Sequence, residues 1–199
     1  MDERLETRDV ILKAAMERIL HYGYAKTTMA EIAKDCDMSA GNIYRFFKSK
    51  LDIAEAMARK FNTEVFQTFA EIARDTKIPA IDRLRQFFEY RMTRSYELLE
   101  KDAKVLELAE VLGHERPSFA NEELAQERVY LVQILTQGIE SGELKSCKDL
   151  YYTAEMIQTA LMKFSYPQLW TRLTLDKLKR EFDGVMDLLS AALTCNEKN

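Results

Sequence analysis

The sequence predicts an all-α protein of about nine helices, and three observations support this fold class. The 199 residues contain 6 Gly and 3 Pro, too few breakers for many short strands joined by turns. Hydrophobic residues make up 47% of the chain, which is enough apolar material for a sizeable core. They recur at three- and four-residue steps, the spacing that places side chains on one face of a helix.

Residues 27–47 contain the signals for two short helices joined by a tight turn. Thr28 can cap the first helix, and Glu31 follows at the position from which its side chain can bond back to the cap. Asp37 occupies the turn, which needs a residue that tolerates a left-handed backbone, and Ser39 can cap the second helix. This arrangement is typical of a helix-turn-helix, whose second helix enters the major groove of DNA.

The same segment resembles the N-terminal domain of the TetR family of bacterial regulators, over roughly residues 8–53 and including a first helix that ends at a glycine. Positions that meet the family pattern are Gly23, Thr28, Ile32, Ala33, Ser39, Gly41, Tyr44, Phe47, Lys48 and Lys50. Two positions depart from it. Asp37 replaces the usual Gly, and Phe46 replaces a His that often contacts phosphate. Because Asp tolerates the left-handed region, the fold should survive, whereas the second change removes one backbone contact.

The resemblance implies a homodimeric, ligand-responsive transcriptional regulator, most simply a repressor, on a double-stranded, pseudo-palindromic DNA operator. A small apolar or amphipathic effector would release it. The residues expected at DNA are Thr28, Ser39, Ala40, Gly41, Asn42, Tyr44, Arg45, Lys48 and Lys50. Ala40, Asn42 and Arg45 are the expected base-reading or adjacent side chains, and the two lysines should hold phosphates or cap the next helix. The alternative is a helical protein-interaction adaptor whose N-terminal motif contacts another protein.

Net charge does not by itself favour nucleic acid, because the chain totals −4 with a pI near 5.4. Residues 1–60 carry 11 Lys and Arg against 10 Asp and Glu, whereas the remainder carries 18 against 23. Local placement matters more than the total. Arg45, Lys48 and Lys50 cluster just after the predicted recognition helix, where phosphate contacts would add affinity and salt dependence.

Several other classes of protein are disfavoured. No apolar run approaches the roughly twenty residues that cross a bilayer, and the charged start does not resemble a secretory signal, so a cytoplasmic protein without a membrane role is expected. Cys36, Cys147 and Cys195 are far apart, which predicts reduced thiols and neither a disulfide framework nor a metal site.

The sequence also offers little material for an enzyme. Motifs for a serine or cysteine nucleophile and for a glycine-rich phosphate loop are absent. His21 lies at the end of the first helix, where it can favourably meet the helix dipole. His114 could bind a metal with Glu107 and Glu110, but no second His stands at a helical offset. We therefore expect no catalytic residues, metal or cofactor.

Residues 1–53 are predicted to form the helix-turn-helix domain, and residues 54–199 a helical effector-binding and dimerisation domain. Its predicted helices run approximately over residues 54–74, from Pro79 onward, and over 105–112, 121–141, 148–164 and 175–193. Residues 114–118, which follow Gly113 and contain Pro117, are predicted to form a loop. The long helix over 54–74 would leave the DNA-binding domain and enter the second domain, so its tilt could transmit a change.

Two functional sites are expected in the second domain. The resemblance and the aromatic content predict an effector pocket lined by Phe88, Arg91, Met92, Tyr96, Glu110, Tyr130 and Trp170. Apolar stripes on the last two helices predict a dimer interface that contains Ile157, Leu161, Leu178, Phe182, Val185 and Leu189. The alternative for both groups is that these side chains simply fill the core of their own domain.

Overall fold

A computed structural model of the protein describes residues 3–170 and 172–195, and it confirms the all-α class. The helices in these residues are α1 (Glu3–Tyr22), α2 (Met29–Asp35), α3 (Ala40–Ile43), α4 (Lys50–Arg74), α5 (Ala80–Lys101), α6 (Lys104–Glu115), α7 (Pro117–Glu140), α8 (Leu150–Ser165) and α9 (Leu175–Leu193), with a 3-10 turn over Pro167–Leu169. Within the described residues, β pairing is limited to a single antiparallel bridge between Leu144 and Thr194.

The chain divides into two compact units. The first contains the chain up to Thr63 together with Leu99–Phe119, and the second contains Glu64–Leu98 together with the chain from Ala120 onward. The predicted boundary at residue 53 falls inside α4, and α6 belongs to the same unit as the helix-turn-helix segment.

The first unit has a continuous apolar core built by α1, α2, α3, α4 and α6. Its buried members are Ile11, Leu12, Ala15, Ile19, Met29, Ile32, Ala33, Ile43, Phe47, Ile53, Ala54, Met57, Leu108 and Leu112. The last two come from α6. This helix therefore buries apolar surface in the core that supports the helix-turn-helix. Burial of apolar surface is the dominant stabilising contribution in a small helical unit.

The second unit is held together by aromatic packing and by one close helix contact. The rings of Phe69 and Phe87 stack with centroids 3.6 Å apart. A Cβ placed on Gly138 of α7 would lie 2.5 Å from Cβ of Ala80 and 2.6 Å from Leu144. Gly138 is therefore required because any side chain there would overlap its neighbours.

The predicted loop over residues 114–118 is wrong. Helix α6 continues through Gly113 to Glu115, and α7 begins at Pro117, so that Arg116 alone separates the two helices. An exposed helix interior tolerates glycine at a cost of about 1 kcal/mol. Proline is favoured at the first helical position, where its missing N–H has no partner to lose. Gly113 and Pro117 signalled a break that is one residue long.

No helix within the described part of the chain is long and apolar enough to cross a membrane.

Candidate nucleic-acid interface

Helix α2 begins with the predicted capping box. The Thr28 hydroxyl accepts a hydrogen bond from the Glu31 backbone N–H at 3.3 Å, and the Glu31 carboxylate accepts one from the Thr28 backbone N–H at 2.9 Å. The hydrogen bonds from Thr28 hold the pKa of Glu31 below its ordinary value. Two otherwise unsatisfied groups at the helix start are thus paired, which confirms the prediction from the sequence.

The turn between α2 and α3 also follows the prediction. Asp37 has a φ of 54°, in the left-handed region, and the Ser39 hydroxyl accepts a hydrogen bond from the Asn42 N–H at 3.2 Å. Met38 is half-buried against the core of the first unit. Regular α3 is four residues long, and hydrogen bonds of Arg45, Phe46 and Phe47 to carbonyls three or four residues earlier extend the turn beyond it.

Most of the residues expected at DNA share one property, which is exposure to solvent. Exposed members are Thr28, Ser39, Ala40, Gly41, Tyr44, Arg45 and Lys48, and Asn42 is half-buried. A Cβ built on Gly41 would meet no described atom within 4 Å. The start of α3 therefore offers small side chains and open space next to two cations, a surface that suits close approach by a phosphodiester backbone.

Lys50 differs from the other residues expected at DNA, because its ammonium is bonded within the chain. Its ammonium donates hydrogen bonds to the carbonyl oxygens of Tyr24 at 2.6 Å and Thr27 at 2.7 Å, and it lies 4.1 Å from the Tyr24 ring centroid. Partial burial lowers the pKa of Lys50. Two of its three N–H donors are used inside the chain, so Lys50 ties α4 to the turn before α2.

Two arginines of α1, Arg8 and Arg18, fix the helix-turn-helix and were not found from the sequence. Arg8 donates to the Phe46 carbonyl at 2.8 Å and lies over the Phe47 ring. Arg18 donates two hydrogen bonds to Asp35 at 2.5 and 2.9 Å, and these hold the pKa of Asp35 below its ordinary value. Such pairs depend on the meeting of distant helices, so no local spacing announces them.

Phe46, where the resembling family often has His, is half-buried against the core of the first unit. Its backbone carbonyl accepts the bond from Arg8. The aromatic side chain thus adds to packing at a position where a His would offer a polar contact.

The residues expected to form the effector pocket are only partly brought together. Tyr96 and Trp170 stack with ring centroids 5.7 Å apart. The ring centroid of Tyr130 lies 6.3 Å from that of Phe66 and 6.4 Å from that of Phe69. Phe88 and Met92 are buried in the second unit. Glu110 is exposed and belongs to the first unit.

Arg91, another expected pocket residue, has an acidic partner that sequence reasoning missed. Its Nη2 lies 2.6 Å from Oε1 of Glu127, whose side chain is 2% exposed. Burial raises the pKa of Glu127, and Arg91 opposes that shift. The indole Nε1 of Trp170 is also buried and has no hydrogen-bond partner among the described residues. The interior of the second unit therefore contains an ion pair and a donor, both costly to bury.

Most residues expected at the dimer interface are buried within their own chain. Ile157, Leu161, Leu178 and Phe182 are each at most 3% exposed, and Val185 and Leu189 are half-buried. The rings of Phe164 and Phe182 meet edge to face at 5.5 Å, so the two stripes pack α8 against α9. The first four residues are thus covered within their own chain, which agrees with the alternative that they fill the core of their own domain. The exposed large apolar side chains on these helices are Tyr151, Tyr152, Met156, Met162 and Leu188.

Comparison with known proteins places these features in a family. Residues 11–57 match the family model described as bacterial regulatory proteins, tetR family, and residues 80–186 match a tetracyclin repressor-like C-terminal domain. The fatty acid metabolism regulator protein of Bacillus subtilis is 30% identical over 152 residues, which cover 74% of this chain and 75% of that protein.

Solved structures show the same fold along nearly the whole chain. A transcriptional regulator from Cytophaga hutchinsonii superposes with a TM-score of 0.72 at 24% identity, covering 98% of this chain and 100% of that one. SmeT, the repressor of the Stenotrophomonas maltophilia multidrug efflux pump SmeDEF, was solved in complex with triclosan. That complex superposes with a TM-score of 0.69 at 20% identity, covering 96% of this chain and 93% of that one.

Proposed function

Because the chain belongs to the TetR family of DNA-binding transcriptional regulators, we propose that it is a homodimeric repressor. One helix-turn-helix per subunit would enter successive major grooves of a pseudo-palindromic operator, and a small amphipathic effector would release it. The single observation that best supports the DNA contact is Gly41.

No contact within the described part of the chain requires a glycine at position 41. It lies in α3 with a helical backbone, and a Cβ there would meet no described atom within 4 Å. Glycine in a helix costs roughly 0.5–1 kcal/mol relative to alanine. Gly113 and Gly184 bear the same cost, but of these three glycines Gly41 is the one in the predicted recognition helix, so we assign its open space to close approach of the DNA backbone beside Arg45 and Lys48.

The test compares two exposed helical glycines. Gly41→Ala should leave the melting temperature unchanged or higher and weaken binding to the operator at least tenfold, because a methyl group would occupy the space of the DNA backbone. Gly113→Ala, on another exposed helix position with equal space, should leave DNA affinity unchanged. Fluorescence anisotropy measures the DNA affinity of both variants, with a duplex taken from the DNA upstream of the gene that encodes the chain. Equal affinities for the two variants would contradict the assignment.

For the dimer we propose the outer faces of α8 and α9, in place of the buried stripes. Leu188 is 74% exposed, and a Cβ on Gly184, one turn earlier, would meet no described atom within 4 Å. Tyr152 and Met156 give α8 an exposed apolar face as well. Such faces are typical of helices that pair with a second copy of the chain.

Sedimentation equilibrium tests this surface. Leu188→Arg should convert the dimer to monomer, because an arginine at a packed helix contact would lose its hydration without a partner. Val129→Arg, at another exposed apolar position on α7, should remain dimeric. A Leu188→Arg protein that stays dimeric would exclude this surface.

For the effector we propose an amphipathic molecule whose polar end accepts a hydrogen bond from Trp170, in the same unit as the Arg91–Glu127 pair. The buried indole donor without a described partner supports this assignment. A solved structure of SmeT is a complex with triclosan, which combines an apolar body with oxygen atoms and therefore serves as the first probe. Since the chain has one Trp, its fluorescence reports this site directly.

Titration with triclosan and with dodecanoic acid, against dodecane as the control without an acceptor, tests the proposal. The two acceptor-bearing probes should shift the Trp170 emission and release operator DNA, and dodecane should do neither. An equal response to dodecane would show that a hydrogen bond from Trp170 is not needed for effector binding.

A further inference from the structure

Helix α6 holds the turn between α1 and α2 through two charged side chains, Lys104 and Glu107, which we name the α6 clamp. All of these residues belong to the first unit. The Lys104 ammonium donates hydrogen bonds to the carbonyl oxygens of Leu20 at 2.6 Å and His21 at 2.5 Å. These are carbonyls of the last turn of α1, which lack partners within the helix.

Glu107 completes the clamp from the next turn of α6. Its two carboxylate oxygens accept hydrogen bonds from the backbone N–H groups of Tyr24 at 3.2 Å and Ala25 at 3.0 Å. Hydrogen bonds with an ionised acceptor are about twice as strong as neutral ones. The cation thus meets carbonyls and the anion meets N–H groups, so both charges match the backbone dipoles they contact.

Gly23 lies against the clamp. It adopts a φ of 93°, and a Cβ on it would lie 3.1 Å from Oε2 of Glu107. Gly23 therefore has two requirements, a left-handed backbone and room for the carboxylate. The first is a local property of a helix end, and the second arises from a residue more than eighty positions later in the chain.

The clamped turn leads directly into the proposed DNA contact. The Thr27 hydroxyl donates to the Gly23 carbonyl at 2.9 Å, Thr27 is buried, and Lys50 donates to the Thr27 carbonyl at 2.7 Å. Thr28, the next residue, caps α2 and is expected at the DNA backbone. The turn that sets the start of α2 is therefore fixed by hydrogen bonds from both α6 and α4.

We infer that Glu107 and Lys104, which lie outside the helix-turn-helix, are positioning residues for operator recognition that act through the turn they hold. The inference rests on the proposed function, since it assigns the clamp a role in DNA binding. Without the clamp, the turn would populate other conformations. The apparent operator affinity would then fall by the fraction of molecules that keep α2 and α3 in place.

The experiment uses the full-length protein and a duplex that the wild type selects from a random library. Glu107→Gln keeps the side-chain volume but replaces one acceptor oxygen by an NH₂ group facing a backbone N–H. Glu100→Gln, an exposed position in the same unit, removes the same charge and serves as the matched control. Amide hydrogen exchange at Tyr24 and Ala25, operator Kd corrected for active fraction, and the salt slope of binding are measured for each.

For Glu107→Gln we expect faster exchange at both amides, operator affinity about tenfold weaker, and an unchanged salt slope, because no phosphate contact is lost. For Glu100→Gln we expect wild-type values. If Glu107→Gln fails to fold, Lys104→Met takes its place in the test. It frees the α1 carbonyls instead of the turn amides, and we expect the same loss of operator affinity.

Three results would overturn the inference. Unchanged exchange at Tyr24 and Ala25 would show that Glu107 does not hold the turn. Faster exchange with operator affinity equal to that of Glu100→Gln would make the contact irrelevant to recognition. A wild type that binds no duplex would refute the proposed function and the recognition role, while the exchange data would still report whether Glu107 holds the turn.

Discussion

Replacing Arg91 by Met should destabilise the protein far more than replacing both Arg91 and Glu127. The two side chains lie 2.6 Å apart in the second unit, and they are 14% and 2% exposed. Met fills most of the space of the arginine stem but leaves Glu127 as a buried carboxylate without its cation.

The structure sets the magnitude of this effect. Removing one partner of a buried ion pair costs about 3–5 kcal/mol, whereas replacing both partners by apolar residues is often neutral or stabilising. Glu127 can escape part of the penalty by taking up a proton, so we expect a loss near the lower end, about 3 kcal/mol, for Arg91→Met. The double variant Arg91→Met, Glu127→Leu should recover most of this loss.

The dependence on pH provides an independent check. Burial raises the pKa of Glu127 above its ordinary value of 4.5, and the loss of Arg91 should raise it further. A carboxyl whose pKa is higher in the folded state binds its proton more tightly there. Its stabilising contribution is therefore complete below the unfolded pKa and is lost as pH rises through the folded pKa.

Urea unfolding at several pH values between 4 and 8 measures the free energy of unfolding of the two variants. The single variant should be less stable than the double variant at pH 8, and the gap should narrow towards pH 4. Because Leu cannot titrate, the difference between them reports Glu127 together with its repulsion by the buried Glu123. A gap that is under 1 kcal/mol at pH 8, or that does not change with pH, would refute the argument.

Three further outcomes can be checked by urea unfolding and salt titration of DNA binding. Gly138→Ala should cost about 1–3 kcal/mol, because its Cβ would lie 2.5 Å from that of Ala80; unchanged stability would mean that the helices separate freely. Asp37→Val should cost about 1–2 kcal/mol at a φ of 54°, whereas Asp37→Gly should be tolerated. Lys48→Ala should lower the salt slope by about 1 per subunit without changing stability, whereas Lys50→Ala should lose about 1.5–3 kcal/mol of stability through its bonds to carbonyls. The opposite pattern for the two lysines would reverse their roles.

The helix-turn-helix could be predicted in detail because its devices are local. The capping box of Thr28 and Glu31, the left-handed Asp37 and the Ser39 cap each join residues no more than three positions apart. Backbone geometry and short side-chain hydrogen bonds decide such features, so the sequence contains the whole signal.

Features that depend on contacts between residues far apart in the chain could not be predicted from the sequence. The bonds of Glu107 to Tyr24 and Ala25 span 83 and 82 positions, and nothing in the periodicity of α6 marks the helix as part of the first unit. An apolar stripe states only that a face is buried. Leu178 and Phe182 therefore could not be assigned to a partner or to their own core until α8 was seen to cover them.

Hydroxyl-radical footprinting on the selected duplex shows whether two copies of the helix-turn-helix bind one operator. We expect two chains per duplex and two protected stretches whose centres lie about one helical turn, roughly 10 base pairs, apart. A single protected stretch with one chain per duplex, or no protection at any concentration that saturates binding, would contradict it.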